Sequence, residues 1–190
     1  RVLNYEWNKE KLKGIPHKRL LDLAIVPVLT IDLKTDGSGT TFVNEYFLYF
    51  CGIDEETLWE AATDWLEREG FEYKGIMEIL KDMVGEIDES MEEKCRLYFF
   101  GNQMRAYGAI AILRTDILEK FAEEIGGNFY IIPSSIHELL LLPDCGMDGK
   151  EDAEIKEMIE MVNEQQVSCE ERLSYNLYYY NRDAKKVEIR

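Results

Sequence analysis

At 190 residues the chain is long enough for one domain with a sizeable core, and 46% hydrophobic with 12% aromatic residues excludes wholesale disorder. The formal charge of −16, from 38 acidic against 22 basic residues, repels a phosphate backbone, so no direct nucleic-acid partner is expected. Cys51, Cys95, Cys145 and Cys169 stand far apart without Cys-x-x-Cys spacing, beside only two histidines, which predicts reduced cytoplasmic thiols with no metal centre and no cofactor.

In chain order, Val2–Lys13 reads as a short helix stopped by Gly14 and Pro16. Leu20–Leu33 reads as a strand that Pro27 forces to an edge or a bulge, because proline cannot donate a ladder hydrogen bond. Asp36-Gly37-Ser38-Gly39 and Thr40–Val43 follow as a hairpin turn and a returning strand. Asn44 is placed to cap a short helix through Cys51, with Gly52 as its left-handed stop. Asp54 caps a longer helix to about Glu69, and Ile76–Val84 repeats the helical spacing. Cys95–Phe100 and Tyr107–Leu113 read as a strand pair joined through Gly101-Asn102-Gln103, and the small residues Gly108, Ala109 and Ala111 predict a close neighbour. A helix from Thr115 or Asp116 to Ile125 comes next, broken by Gly126-Gly127.

Phe129–Ile132 and Leu139–Leu142 are each too short for a core helix, and each is closed by a proline, so both read as strands. Neither alternates with polar residues, which predicts cover on both faces and a place in the middle of a sheet. A helix over Glu151–Gln165 and a hairpin of Tyr175–Tyr180 with Lys186–Ile189 complete the chain. The alternation predicts an α+β fold, a mainly antiparallel sheet built from successive hairpins with helices between the strand pairs packed on it. No linker divides it, so residues 1–190 read as one domain. The chain opens on Arg1 and not on methionine, which is read as a fragment of a longer chain. No apolar run reaches the roughly 18 residues of a membrane-spanning helix.

Ser134, Ser135, His137 and Glu138 hold the residue types of a hydrolase triad. A working triad draws its members from separate segments, and no Gly-x-Ser-x-Gly elbow exposes a serine here. Ser135-Ile-His-Glu138 matches a helical capping box better, one turn linking two strands, with His137 bonding a backbone carbonyl. Asp32–Gly39 and Asp144–Asp152 have the flavour of cation loops but lack the alternating ligands. Tyr175, Tyr178, Tyr179 and Tyr180 read as hairpin packing in preference to a stacking platform. Asn102, Gln103 and Arg105 form a polar turn that would floor a pocket if Ser134, Ser135 and His137 made the other wall.

Leu21-Asp-Leu-Ala-Ile25, Gly101-Asn-Gln103 with Gly108–Leu113, and Phe129–Glu138 with its Pro133-Ser-Ser-Ile-His-Glu138 block carry a resemblance. The whole chain resembles an uncharacterised domain-of-unknown-function family of anaerobic gut bacteria. The resemblance implies a bacterial source, an intracellular setting and a place as the C-terminal fragment of a longer chain, and carries no activity with it. The leading expectation is a non-enzymatic module that binds another protein, with no membrane partner and its oligomeric state open. Two alternatives stand beside it: a hydrolase or transferase using Ser134, Ser135, His137 and Glu138, and an acidic mimic of nucleic acid that engages a basic protein.

Overall fold

At its start the chain pairs before it coils. In the computed structural model Val2–Asn4 form strand β1, and only Tyr5–Asn8 (α1) are helical, the Asn4 side chain accepting from the backbone N–H of Trp7. The helix expected over Val2–Lys13 is thus confined to one turn. Val2 and Asn4 are both buried in β1, and a thin helical stripe would have left them in water. The structure describes residues 1–32, 38–85, 96–144, 146 and 150–190, and divides into two units, Arg1–Glu69 and Gly70–Arg190.

In the first unit β1 pairs with β3 (Leu23–Ile25), which pairs in turn with β2 (Lys18–Leu20), all antiparallel. Leu21 takes a left-handed φ of 56° in the tight β2–β3 turn. Pro27 breaks the apolar run, so β4 (Val28–Asp32) begins a separate ribbon with β5 (Ser38–Phe42). The turn expected at Asp36–Gly37 lies outside the described residues. Helices α2 (Glu45–Cys51) and α3 (Glu55–Arg68) follow. Asn44 and Asp54 cap them through the N–H groups of Phe47 and Thr57, and Gly52, at φ 68°, closes α2. Leu12, Ala24 and Val26 form the core of this unit, with Leu3, Tyr5, Ile15 and Phe42 around them.

The second unit is built on a six-stranded antiparallel sheet. In chain order its elements are β6 (Phe71–Gly75), α4 (Ile76–Val84), β7 (Tyr98–Asn102), a 3-10 segment (Gly108–Leu113), α5 (Thr115–Ile125), β8 (Phe129–Ile132), β9 (Leu139–Pro143), α6 (Lys150–Gln166), β10 (Tyr178–Asn181) and β11 (Lys186–Ile189). The spatial order β11-β10-β8-β9-β7-β6 puts the two apolar runs at the centre, with Ile131 opposite Leu141 and Ile132 opposite Leu140.

All four residues of β8 are buried, and alternate side chains meet different layers. Phe129 meets Phe121 of α5 edge-on at 4.9 Å and stacks on Tyr180 at 4.9 Å. Tyr130 and Ile132 instead join Ile155 and Ile159 of α6 with Leu177 and Tyr179. Helices on both faces account for a strand without polar alternation. Tyr178, Tyr179 and Tyr180 are buried in this packing, and Tyr175 is exposed.

Two expectations fail here. Tyr107–Leu113 is not a strand: Gly108–Leu113 winds into a buried 3-10 segment, and β7 lies between β9 and the unforeseen β6, with Tyr73 opposite Phe100. The Ser135–Glu138 link is not a helical turn but an irregular bend, several of whose peptide groups are claimed by other segments. Gly108 donates to the carbonyl of His137 at 2.8 Å, and Ile136 donates to the carbonyl of Glu171 at 2.9 Å.

Candidate functional site

The turn after β7 is shaped by Asn102, which is buried. Its Nδ2 donates to the carbonyl of Ala106 at 3.0 Å and its Oδ1 accepts from the Ala106 N–H at 3.2 Å. One side chain thus closes the turn with both of its polar ends. Arg105 and Tyr107 are held at left-handed φ values of 50° and 55°, where non-glycine residues are uncommon. That geometry sets the Tyr107 N–H against Nδ1 of His137 at 3.1 Å and the Tyr107 ring against the imidazole, centroids 5.1 Å apart.

The opposite wall is the link between β8 and β9. The hydroxyls of Ser134 and Ser135 both donate to Oε1 of Glu138, at 3.0 and 3.1 Å, and Ser135 Oγ accepts from the His137 N–H at 3.0 Å. A third wall comes from the segment after α6. Glu171 Oε1 lies 3.4 Å from His137 Nε2, and its Oε2 accepts from Ser168 Oγ at 3.0 Å. These walls enclose an open concavity of about 350 Å³ lined by Arg105, Ser134, Ser135, His137, Glu138, Gln166, Val167 and Glu171.

Five of the seven residues singled out in the sequence therefore meet at one place. Asn102 does not line the concavity but builds its rim, and Gln103 is exposed elsewhere on the turn. Glu171, Gln166 and Tyr107 were not foreseen. Glu171 is one glutamate in an acidic stretch, and only the tertiary fold singles it out.

The hydrogen bonds sort the polar groups into two separate chains. Nδ1 of His137 accepts a backbone N–H, so the neutral ring carries its proton on Nε2, facing Glu171. The anticipated bond from His137 to a backbone carbonyl is thereby replaced. The serines give their protons to Glu138, and neither is bonded to the imidazole ring. The concavity combines two carboxylates, one guanidinium and two hydroxyls, a lining with excess negative charge. Among the described residues no group of three or more His, Cys, Asp or Glu is arranged to hold a metal ion.

A second concavity of about 500 Å³ lies over Glu119, Glu123, Tyr180, Arg182, Asp183 and Lys185. Its cations are already engaged: Lys185 pairs with Glu119, and Arg182 donates to the carbonyl of Gly126.

The family model that matches this sequence covers residues 1–182 and is described as a family of unknown function, DUF5688. The chain belongs to DUF5688. Neither the curated proteins nor the solved structures include a match to it. Within this DUF5688 chain the Pro133–Glu138 block supplies four of the residues that line the concavity. No helix among the described residues is long and apolar enough to cross a membrane.

Proposed function

We propose that this chain is a non-enzymatic protein-binding module, and that the concavity over Glu138 and Glu171 receives a basic side chain of its partner. The single observation that carries the reading is the direction of the hydrogen bonds. Hydroxyl and imidazole protons alike point at carboxylates, which holds Glu138 and Glu171 as oriented acceptors at the mouth of an open hollow. Fixed carboxylates suit a guanidinium or ammonium group, whose charge-assisted hydrogen bonds are about twice as strong as neutral ones. Arg105 beside them suits a carbonyl of the same peptide. The net charge of −16 adds long-range attraction for a basic partner.

A serine hydrolase would need its imidazole as base to the nucleophile, with a third group orienting it. In this site the serines and the ring belong to different hydrogen-bond chains, so the reading as a hydrolase or transferase draws less support. Mimicry of nucleic acid would need carboxylates in a dense strip, and the concavity mixes them with Arg105. The anaerobic gut bacterial source and the cytoplasmic setting implied by the resemblance belong to the same proposal.

The test is calorimetric titration of the whole chain with blocked tripeptides centred on arginine, lysine or glutamate. The basic peptides are expected to bind, and E138Q/E171Q is expected to weaken them at least tenfold. Hydrolysis of generic ester, peptide or phosphoester substrates that disappears in S135A or H137A would overturn the proposal.

A further inference from the structure

Helix α2 turns three of its four aromatic residues outward. Tyr46, Tyr49 and Phe50 are 85%, 90% and 89% exposed, while Leu48 alone on that helix is buried. They follow the spacing i, i+3 and i+4, which sets three aromatic side chains along one face. Isolated exposed hydrophobes are ordinary, but three nearly bare rings on two turns are not. Asn44 and Gly52 cap the helix at both ends, so the face is presented on a fixed element.

The sequence on either side of this face is of one sign. Between Lys34 and Arg68 the sequence holds no lysine, arginine or histidine, and it holds eight acidic residues. Glu45, Asp54, Glu55 and Glu56, all exposed, adjoin the aromatic residues in sequence. Burying an aromatic side chain removes roughly 150–250 Å² from water, so three supply about 450–750 Å². That approaches the roughly 800 Å² per partner of a standard interface.

We infer that the Tyr46–Tyr49–Phe50 face of α2 is a docking surface for a protein partner that offers an apolar groove rimmed by lysine or arginine. Charge decides between occupants. In a symmetric contact between two copies the acidic residues beside each face would meet their own counterparts, a like-charge juxtaposition that opposes association. An anionic bilayer is opposed by the same carboxylates, since interfacial helices carry basic polar faces. A basic-rimmed groove satisfies rings and carboxylates together. The inference deepens the protein-binding reading but uses nothing of the Glu138–Glu171 concavity, so the two fail separately.

The test is selection of a random displayed-peptide library on the whole chain, with counter-selection on the variant Y46Q/Y49Q/F50Q. Those side chains are exposed and glutamine is a good helix former, so the variant should keep the circular dichroism spectrum and melting temperature of the parent. Enriched peptides are expected to place apolar residues beside lysine or arginine. They should bind the variant at least tenfold more weakly than the parent, bind more weakly as salt is raised, and bind E138Q/E171Q as they bind the parent. Peptides that bind parent and triple variant equally, or enriched peptides that are acidic or uncharged, would overturn the inference. So would a parent dimer in sedimentation, or binding to phosphatidylcholine vesicles, that the triple variant abolishes.

Discussion

A β-carbon added at Gly108 would stand 2.6 Å from the carbonyl oxygen of His137 and 2.8 Å from the backbone nitrogen of Asn102. Both are main-chain atoms that cannot swing aside. Asn102 is paired with Phe71 at the end of β7, and the His137 carbonyl accepts from Gly108 itself at 2.8 Å. In G108A either the 3-10 segment backs away and loses that hydrogen bond, or the link carrying His137 moves. Overpacking a filled site costs about 1–3 kcal/mol and a lost hydrogen bond about 0.5–1.5 kcal/mol, so the expected destabilisation is roughly 2–4 kcal/mol. That is a large part of the about 5–15 kcal/mol typical of a domain.

Urea unfolding followed by far-ultraviolet circular dichroism measures it. Trp7, Trp59 and Trp65 all lie before Gly70, so tryptophan fluorescence separately follows the Arg1–Glu69 unit. Gly127 is the control: nothing lies within 4 Å of its added β-carbon, and G127A should be neutral or stabilising by at most about 1 kcal/mol. A G108A protein within about 0.5 kcal/mol of the parent, or a G127A protein as damaged as G108A, would refute the close-approach argument.

Phe121 holds Tyr73, Tyr98 and Phe129 edge-on at 4.9–5.0 Å, so F121A is expected to cost about 3–5 kcal/mol, read from the same urea midpoints. Burial raises the phenols of Tyr73, Tyr179 and Tyr180 above the ordinary tyrosine value, with carboxylates of Glu124, Asp144 and Glu119 adding to it respectively. Each folded value exceeds the unfolded one, so their contribution is complete below pH about 10 and is lost as pH climbs through the folded values. Tyrosinate absorbance should accordingly rise together with loss of circular dichroism in an alkaline titration, and full ionisation of every tyrosine in a still-folded chain would contradict this.

Much of the architecture follows from local chemistry that any neighbourhood would leave intact. Asn44 and Asp54 cap their helices because a short side-chain oxygen reaches an unpaired N–H three residues on, and Gly52 and Gly126 end theirs because left-handed backbone suits glycine. Phe129–Ile132 and Leu139–Leu142 announced a central pair through length, proline and lack of alternation. Gly108–Leu113 has the pattern of a strand and the structure of a 3-10 segment because short apolar runs look alike in strands and buried helical turns. The same ambiguity hid β6, whose Phe71 and Tyr73 alternate over too few residues to stand out from the neighbouring helices.

The concavity divides along the same line. Its serines, histidine, glutamate and arginine could be named from the sequence as residue types near turns. Which way their hydrogens point could not, because that depends on partners 30 and 34 residues away from His137, Tyr107 and Glu171. The sequence by itself determined the helix caps and the two central apolar strands, since each rests on interactions within a few residues. The tertiary structure alone decided that His137 faces Glu171 and not a serine, because long-range packing sets the direction of a side chain whose own segment has no regular backbone to fix it.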